Sequence, residues 1–295
     1  MTAEANAQVA VIGGSGFYEL EGLTDVREHR AQTPFGDPSD AIVLGTLAGV
    51  RMAFLPRHGV GHRIVPSEVP ARANIWALKQ LGVERVIAVS AVGSLRRGIA
   101  PLHLVVPDQF IDRTQGRPST FFGRGLVAHI AFDRPVCPDV SSSLVASAES
   151  VGAEVHKGGT GIVIEGPAFS TKKESMLYQS WGADIIGMTA LPEAKLAREA
   201  EICYASLSLV TDYDTWHESS QPVTAELILA NLTQNVETAK SVVAETVSAL
   251  SQARECSCGS ALSNALVTAP ELVPEDVKRE LAPIIERYMS VGAGV

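Results

Sequence analysis

Short apolar runs alternate along this chain with stretches in which apolar residues return every third or fourth position. The first pattern predicts strands and the second helices. Residues 9–12 form an apolar run ended by Gly13-Gly14-Ser15-Gly16, which predicts a buried strand entering a tight loop. Residues 41–47 and 50–55, divided by Ala48-Gly49, predict a hairpin. From Ser67 the pattern turns helical, with Ala71, Ile75, Trp76 and Leu78 on the apolar side and a stop near Gly82. Residues 86–89 predict a strand running into Ser90-Ala91-Val92-Gly93-Ser94, read as a turn of small residues, and 102–106 predict another strand. The stretch from Asp108 to Pro138 has no period, and a loop of that length in a compact domain tends to serve a site or an interface.

Beyond it, helices are predicted over 141–151 and 172–181 with a strand over 161–165 between them. Thr171, with Glu174 three residues later, has the form of a capping box for the second helix. A strand over 184–188, a helix over 192–200, a strand over 202–211 and a long helix over 224–250 follow. Residues 255–263 are predicted as a linker and 271–289 as a last helix interrupted at Pro283. Alternation of this kind predicts an α/β fold, a central mixed sheet flanked by helices. We expect an unstructured N-terminus over 1–7, then a single domain over 8–295 that ends in helices from about 224 to 290.

Composition narrows the function classes. The formal charge of −9 disfavours nucleic acid and anionic membranes as partners, so a small molecule is the expected ligand. No run approaches the roughly 18 apolar residues of a membrane span, and the polar start of the chain lacks a signal-peptide pattern, so the expected location is the cytoplasm. Cys256 and Cys258 are spaced C-x-C, with Cys137 and Cys203 far off in sequence. Zinc sites usually show C-x2-C and a second ligand pair. The thiols are therefore expected to be plain side chains, with a redox or disulfide role as the alternative and no metal.

Candidate chemistry lies at the strand ends, where open α/β sheets bind ligands. Gly13-Gly14-Ser15-Gly16 can bring amides and a hydroxyl close to an anion, yet it fits neither G-x-G-x-x-G nor a nucleotide P-loop. Arg57 and His58 follow an apolar strand and offer donors to an oxyanion. Ser90, Ala91, Val92 and Gly93 leave room for a ligand beside hydroxyl and amide donors. Asp212 and Asp214, two apart at a strand end, point the same way, and two close carboxylates can hold one proton between them. Such a group can protonate a leaving base.

Taken in order, these loops resemble the purine nucleoside phosphorylase superfamily, and within it the branch that cleaves 5′-methylthioadenosine. The resemblance rests on Ile12-Gly13-Gly14-Ser15-Gly16, Thr33-Pro34-Phe35-Gly36-Asp37-Pro38-Ser39-Asp40, Arg57-His58-Gly59, Asn74-Ile75-Trp76-Ala77-Leu78-Lys79 and Asp108-Gln109-Phe110-Ile111-Asp112-Arg113-Thr114. It continues through Glu165-Gly166-Pro167-Ala168-Phe169-Ser170, Gly187-Met188-Thr189, Pro192-Glu193 and Thr211-Asp212-Tyr213-Asp214.

The resemblance implies a single α/β domain, assembled as a homotrimer or a dimer of trimers, in which inorganic phosphate attacks the anomeric carbon as a purine departs. It implies no metal or organic cofactor. Ser15, Arg57, His58, Ser90, the amide of Ala91 and Thr189 are implied at the phosphate. Met188 is implied at the ribose, Phe169 on the purine, Asp212 at ring nitrogen N7, and Asp214 at the exocyclic amine. His129 resembles a residue lent by a neighbouring subunit to the sugar's 5′ side, where Ala225 and Ile228 would favour a methylthio group.

Members acting on 6-oxopurines are expected to carry glutamate and asparagine where this chain has Ser170 and Asp212. A carboxylate at Asp214 accepts from an amine and repels a carbonyl, which favours adenine. A phosphorylase of 6-oxopurine nucleosides, methylthioinosine or inosine, is the alternative. A nicotinamide-dependent oxidoreductase rests only on the glycine-rich loop, and a non-catalytic nucleoside-binding protein leaves Asp212 and the phosphate donors without a purpose. Ala168 departs from a basic residue common in some members.

Overall fold

A computed structural model describes residues 6–14, 21–217, 225–250 and 253–290, with side chains in the third segment described from residue 231 onward. The strands are β1 (Val9–Gly13), β2 (Thr24–His29), β3 (Ile42–Leu47), β4 (Val50–Pro56), β5 (Arg85–Ser94), β6 (Leu104–Val106), β7 (Gln109–Arg113), β8 (Val155–Lys157), β9 (Thr160–Ile164), β10 (Ile185–Gly187) and β11 (Cys203–Tyr213). The helices are α1 (Ala71–Gln80), α2 (Pro138–Ser150), α3 (Lys172–Ser180), α4 (Ala190–Glu199), α5 (Ala225–Ala249), α6 (Glu275–Glu280) and α7 (Ala282–Ile285). The strands form one eleven-stranded mixed sheet in the order β2-β3-β4-β1-β5-β10-β9-β7, with β11 also paired to β5 and β6, and β6 to β8. This is the α/β mixed-sheet architecture that the alternation predicts.

Strand β1 is buried along its whole length, as a central parallel strand must be. Its side chains alternate between two cores. Ala10 and Ile12 face α1, α4 and the C-terminal helices, whereas Val9 and Val11 face α2 and α5. Gly82, with φ +81°, ends the turn after α1 near the expected stop. Thr171 and Glu174 form the expected capping box at the start of α3. Ala7, just before the expected domain boundary, is buried and donates its amide to Leu81. No described helix is long and apolar enough to cross a membrane.

Several elements differ from expectation. Strand β5 does not stop at Val89: Ser90 to Ser94 continue it, paired with Ser208 to Tyr213 of β11. Small residues of low strand propensity are held extended there by the neighbouring strand. Strand β11 likewise runs past Thr211 to Tyr213, with a register shift between Val210 and Asp212. Strand β7 forms inside the stretch expected to be irregular, as an edge strand on β9. Strand β2, charged and mostly exposed, is another edge whose sequence shows no apolar alternation.

The C-terminal segment departs furthest. The expected linker packs its Cys258 into the core beside Cys137 and Cys203, and the four cysteine sulfurs lie within 4.8 Å of one another. All four are free thiols, and their separation in sequence does not show that they meet. The expected last helix is instead a 3-10 turn over Pro270–Leu272 followed by α6 and α7, because Pro274 and Pro283 each start a new segment.

The site arises from a split in the sheet. On one edge of β5, β1 pairs with Arg85 to Ala88 and then β10 pairs with Gly93 and Ser94. Between them Val89 to Val92 pair with no described strand on that side, while β11 pairs along the other edge. Ligand crevices open where neighbouring strands diverge in this way.

Candidate active site

A cavity of about 550 Å³ opens at that split, large enough for a nucleoside-sized ligand. Gly14, Arg57, His58, Ser90, Ala91 and Thr189 line it, and so do Val92, Gly93, Phe169, Ser170, Met188, Asp212 and Asp214. Residues implied at phosphate and residues implied at a purine thus share one space, although they come from strand ends spread over most of the chain. Ser15, Ala225 and Ile228 lie outside the described residues and side chains. Leu232 and Val236 of α5 line the cavity one and two helical turns after position 228. His129 is exposed, and this chain does not bring it to the cavity.

Arg57 is only 2% exposed, and its guanidinium is largely occupied. Nε donates to Glu193 Oε2 at 2.9 Å and Nη2 to Glu193 Oε1 at 3.0 Å. Nη1 donates to the Val89 carbonyl at 2.9 Å and Nη2 to the Ile12 carbonyl at 3.2 Å. Four of the five N–H groups are therefore engaged, leaving one on Nη1. The expected open cationic fork is instead a buried ion pair that locks β1, β5 and α4 around the cavity. Tyr204 donates a further hydrogen bond to Glu193 Oε1 at 3.0 Å. The Pro192-Glu193 pair is visible in the sequence, but no local pattern tells which arginine Glu193 meets.

His58 also differs from a simple donor. Its Nδ1 lies 2.8 Å from the Ile64 carbonyl. A carbonyl can only accept, so Nδ1 carries the proton and a neutral ring presents Nε2 as an acceptor. Burial and the charge of Arg57 push its pKa down to about 4, so the neutral ring prevails at pH 7. Ser90 Oγ and Thr189 Oγ1 are 3.1 Å apart, two hydroxyls gathered at the same cavity.

In the same cavity, Asp212 and Asp214 are 6% and 4% exposed. Both flank Gly93: a Cβ there would lie 3.3 Å from Asp212 Oδ2, 3.4 Å from Asp214 Cβ and 3.1 Å from Ile186. Only glycine leaves the two carboxyl groups undisturbed. The Thr211 hydroxyl donates to Asp212 Oδ1 at 2.7 Å. Burial, aided by the charge of Asp214, raises the Asp212 pKa to about 6 against that hydrogen bond. Burial raises Asp214 as well. Asp214 Oδ2, Ser170 Oγ and Ser175 Oγ are buried without a hydrogen bond among the described residues, and the Ser175 hydroxyl stands close enough to the Asp214 carboxyl to favour its ionised form.

Arg117, unremarked in the sequence, supports the cavity lining. Nε donates to Glu165 at 3.1 Å, Nη1 to the carbonyls of Met188 and Leu191, and Nη2 to those of Ile164 and Glu165. All five of its N–H groups are satisfied, and the ends of β9 and β10 are tied together. Asn231 and Asn235 of α5 donate to the carbonyls of Thr211 and Val210, fixing the helix against the end of β11.

A sequence model of the phosphorylase superfamily matches residues 8–248. The chain is 56% identical to the S-methyl-5′-thioadenosine phosphorylase of Geobacter sulfurreducens over 95% of this chain and 99% of that one. It is 55% identical to the protein of the same name from Gloeobacter violaceus over 96% of each. Among solved structures, a methylthioadenosine phosphorylase from an antarctic soil metagenomic library superposes with a TM-score of 0.92 at 48% identity, covering 95% of this chain and 99% of that one. The Schistosoma mansoni methylthioadenosine phosphorylase in complex with adenine superposes with a TM-score of 0.81 at 33% identity, covering 95% and 98%.

Proposed function

The chain belongs to the phosphorylase superfamily, and on that premise we propose that it cleaves 5′-methylthioadenosine with inorganic phosphate, releasing adenine and 5-methylthioribose 1-phosphate. The observation that carries the reading is one cavity lined both by the hydrogen-bond donors Arg57, Ser90 and Thr189 with His58 and by two buried carboxyl groups, Asp212 and Asp214.

The chemistry follows from that combination. As the glycosidic bond lengthens, positive charge builds on the sugar and negative charge on the base. Phosphate, held by the hydroxyls of Ser90 and Thr189, the Ala91 amide and the remaining Arg57 N–H, attacks the anomeric carbon from one face. His58 Nε2, an acceptor when neutral, suits a protonated phosphate oxygen. The bond pair passes to the purine, and protonated Asp212 delivers its proton to N7. An acid with a pKa of about 6 keeps a protonated fraction near neutrality, as a general acid needs. Each preorganised donor of this kind contributes roughly 10²–10³ in rate. The reaction calls on no metal or organic cofactor.

Asp214 selects the base. Its carboxylate, which lines the cavity, accepts from the exocyclic amine of adenine and repels the carbonyl of a 6-oxopurine. Phe169, exposed at the rim, closes on the purine, and Leu232 and Val236 give the 5′ group an apolar neighbour. His129 reaches the 5′ side of a neighbouring copy in a homotrimer, working in the cytoplasm. The reading is tested by mixing purified protein with phosphate and, separately, methylthioadenosine, adenosine and inosine. Phosphate-dependent adenine release from methylthioadenosine is expected, with little reaction of inosine. Preferential hypoxanthine release would instead support the 6-oxopurine alternative.

A further inference from the structure

Four cysteines that the reaction does not use converge at the far end of the strand that carries Asp212. Cys137 is the N-cap of α2, Cys203 is the first residue of β11, and Cys256 and Cys258 lie at and within the 3-10 turn Ser257–Ser260. We propose that Cys137, Cys203, Cys256 and Cys258 bind one zinc ion as a structural tetrathiolate site.

The geometry matches that occupant. Tetrahedral zinc with Zn–S bonds of about 2.3 Å places its sulfurs about 3.8 Å apart. Here Cys256 Sγ is 3.4 Å from Cys203 Sγ and 3.6 Å from Cys137 Sγ, and all four sulfurs fall within 4.8 Å of one another. All four are free thiols. Cys137, Cys203 and Cys258 are at most 2% exposed and sit among apolar side chains of α2, α5 and β11. Thiols hydrogen-bond weakly, so turning four sulfurs toward one buried point gains little unless a cation fills it. Closed sets of four soft ligands are the structural, rather than catalytic, kind of zinc site.

Cys137 caps a 13-residue helix, whose N-terminal end is electropositive. The ligands are held by backbone already in place, since the Cys137 amide donates to the Tyr204 carbonyl at 2.8 Å and the Cys203 amide to that of Glu84 at 2.9 Å. A bound ion would fasten the C-terminal segment to the sheet. Nine residue-to-residue steps of strand, about 30 Å, separate Cys203 from Asp212, so the ion would act on folding stability and not on the reaction.

The test uses the full chain, expressed with zinc in the medium and purified under reductant without chelator. Elemental analysis is expected to find one zinc ion per chain, and intact mass after denaturation four unmodified thiols. Cobalt(II) in place of zinc should give the visible absorption of a tetrahedral thiolate complex. Cys258→Ser should lower metal affinity by more than the roughly 10–100-fold that loss of an outer-shell partner costs. It should also lower the melting temperature while leaving turnover unchanged at temperatures where the variant is folded. Protein that purifies free of metal and takes up no cobalt, or whose mass shows the sulfurs joined as disulfides, overturns the proposal. The metal count on the unaltered chain decides the matter even if the variants do not fold.

Discussion

Glu193 grips the guanidinium of Arg57 at two points, 2.9 and 3.0 Å, with both side chains only 3% exposed. The Arg57 charge beside the cavity is thereby neutralised within the protein. On the proposed reading, what remains for phosphate is one N–H and a set of neutral donors fixed in direction before the ligand arrives.

Removing that partner should be costly. Glu193→Ala leaves a buried cation unpaired, for which a loss of about 3–5 kcal/mol of folding stability is expected. Chemical denaturation should show it as a lower midpoint with unchanged slope. Arg57 also orders the cavity lining, so the KM for phosphate should rise in whatever fraction remains folded. A stability change within about 0.5 kcal/mol, the range of ordinary surface substitutions, would mean the pair does not hold the lining.

Asp212 makes the reaction pH-dependent. Its pKa is raised to about 6 and its protonated form is the useful one, so kcat/KM for the nucleoside at saturating phosphate should fall as pH rises above about 6. The negative charge of Asp214 contributes to that rise. Asp214→Asn should therefore move the limb to lower pH, besides weakening adenine recognition by roughly 10–100-fold in kcat/KM. Asp212→Ala should cost about 10²–10⁴ in rate. A pH–rate profile of each variant distinguishes these effects, and a limb that Asp214→Asn leaves unmoved would remove Asp212 from the assigned role.

Gly93 has no space to spare between Ile186 and the two aspartates. Gly93→Ala should displace them at a cost of about 1–3 kcal/mol, seen as a roughly 10–100-fold lower kcat/KM. The melting temperature should change less than overpacking in a closed core would cause, since one side is the cavity.

Arg117 is a positioning residue, holding the Met188 carbonyl and the end of β9 without facing the ligand. Lysine cannot supply five fixed donors. Arg117→Lys should raise KM for the nucleoside more than it lowers kcat, and should leave the pH limb of Asp212 in place. A shifted limb would place Arg117 in direct electrostatic contact with the proton donor.

Much of this site can be read from the chain because its residues sit in short motifs at strand ends. Arg57-His58, Ser90-Ala91 and Asp212-Tyr213-Asp214 each follow an apolar run. What cannot be read is long-range. Glu193 meets Arg57 across 136 positions, and the pairing exists only once β1, β4 and α4 are packed. Small residues from Ser90 to Ser94 look like a turn because their extended form depends on β11. The meeting of the four cysteines is hidden for a similar reason: it joins side chains from three separate elements rather than one local motif.

The pairing of oxyanion and acid is tested most directly by tracing oxygen. Reaction of methylthioadenosine in oxygen-18-labelled phosphate should give a sugar 1-phosphate in which labelled oxygen bridges carbon and phosphorus, with no adenine released when phosphate is withheld. Adenine release without phosphate, yielding free sugar whose new oxygen came from water, would contradict it.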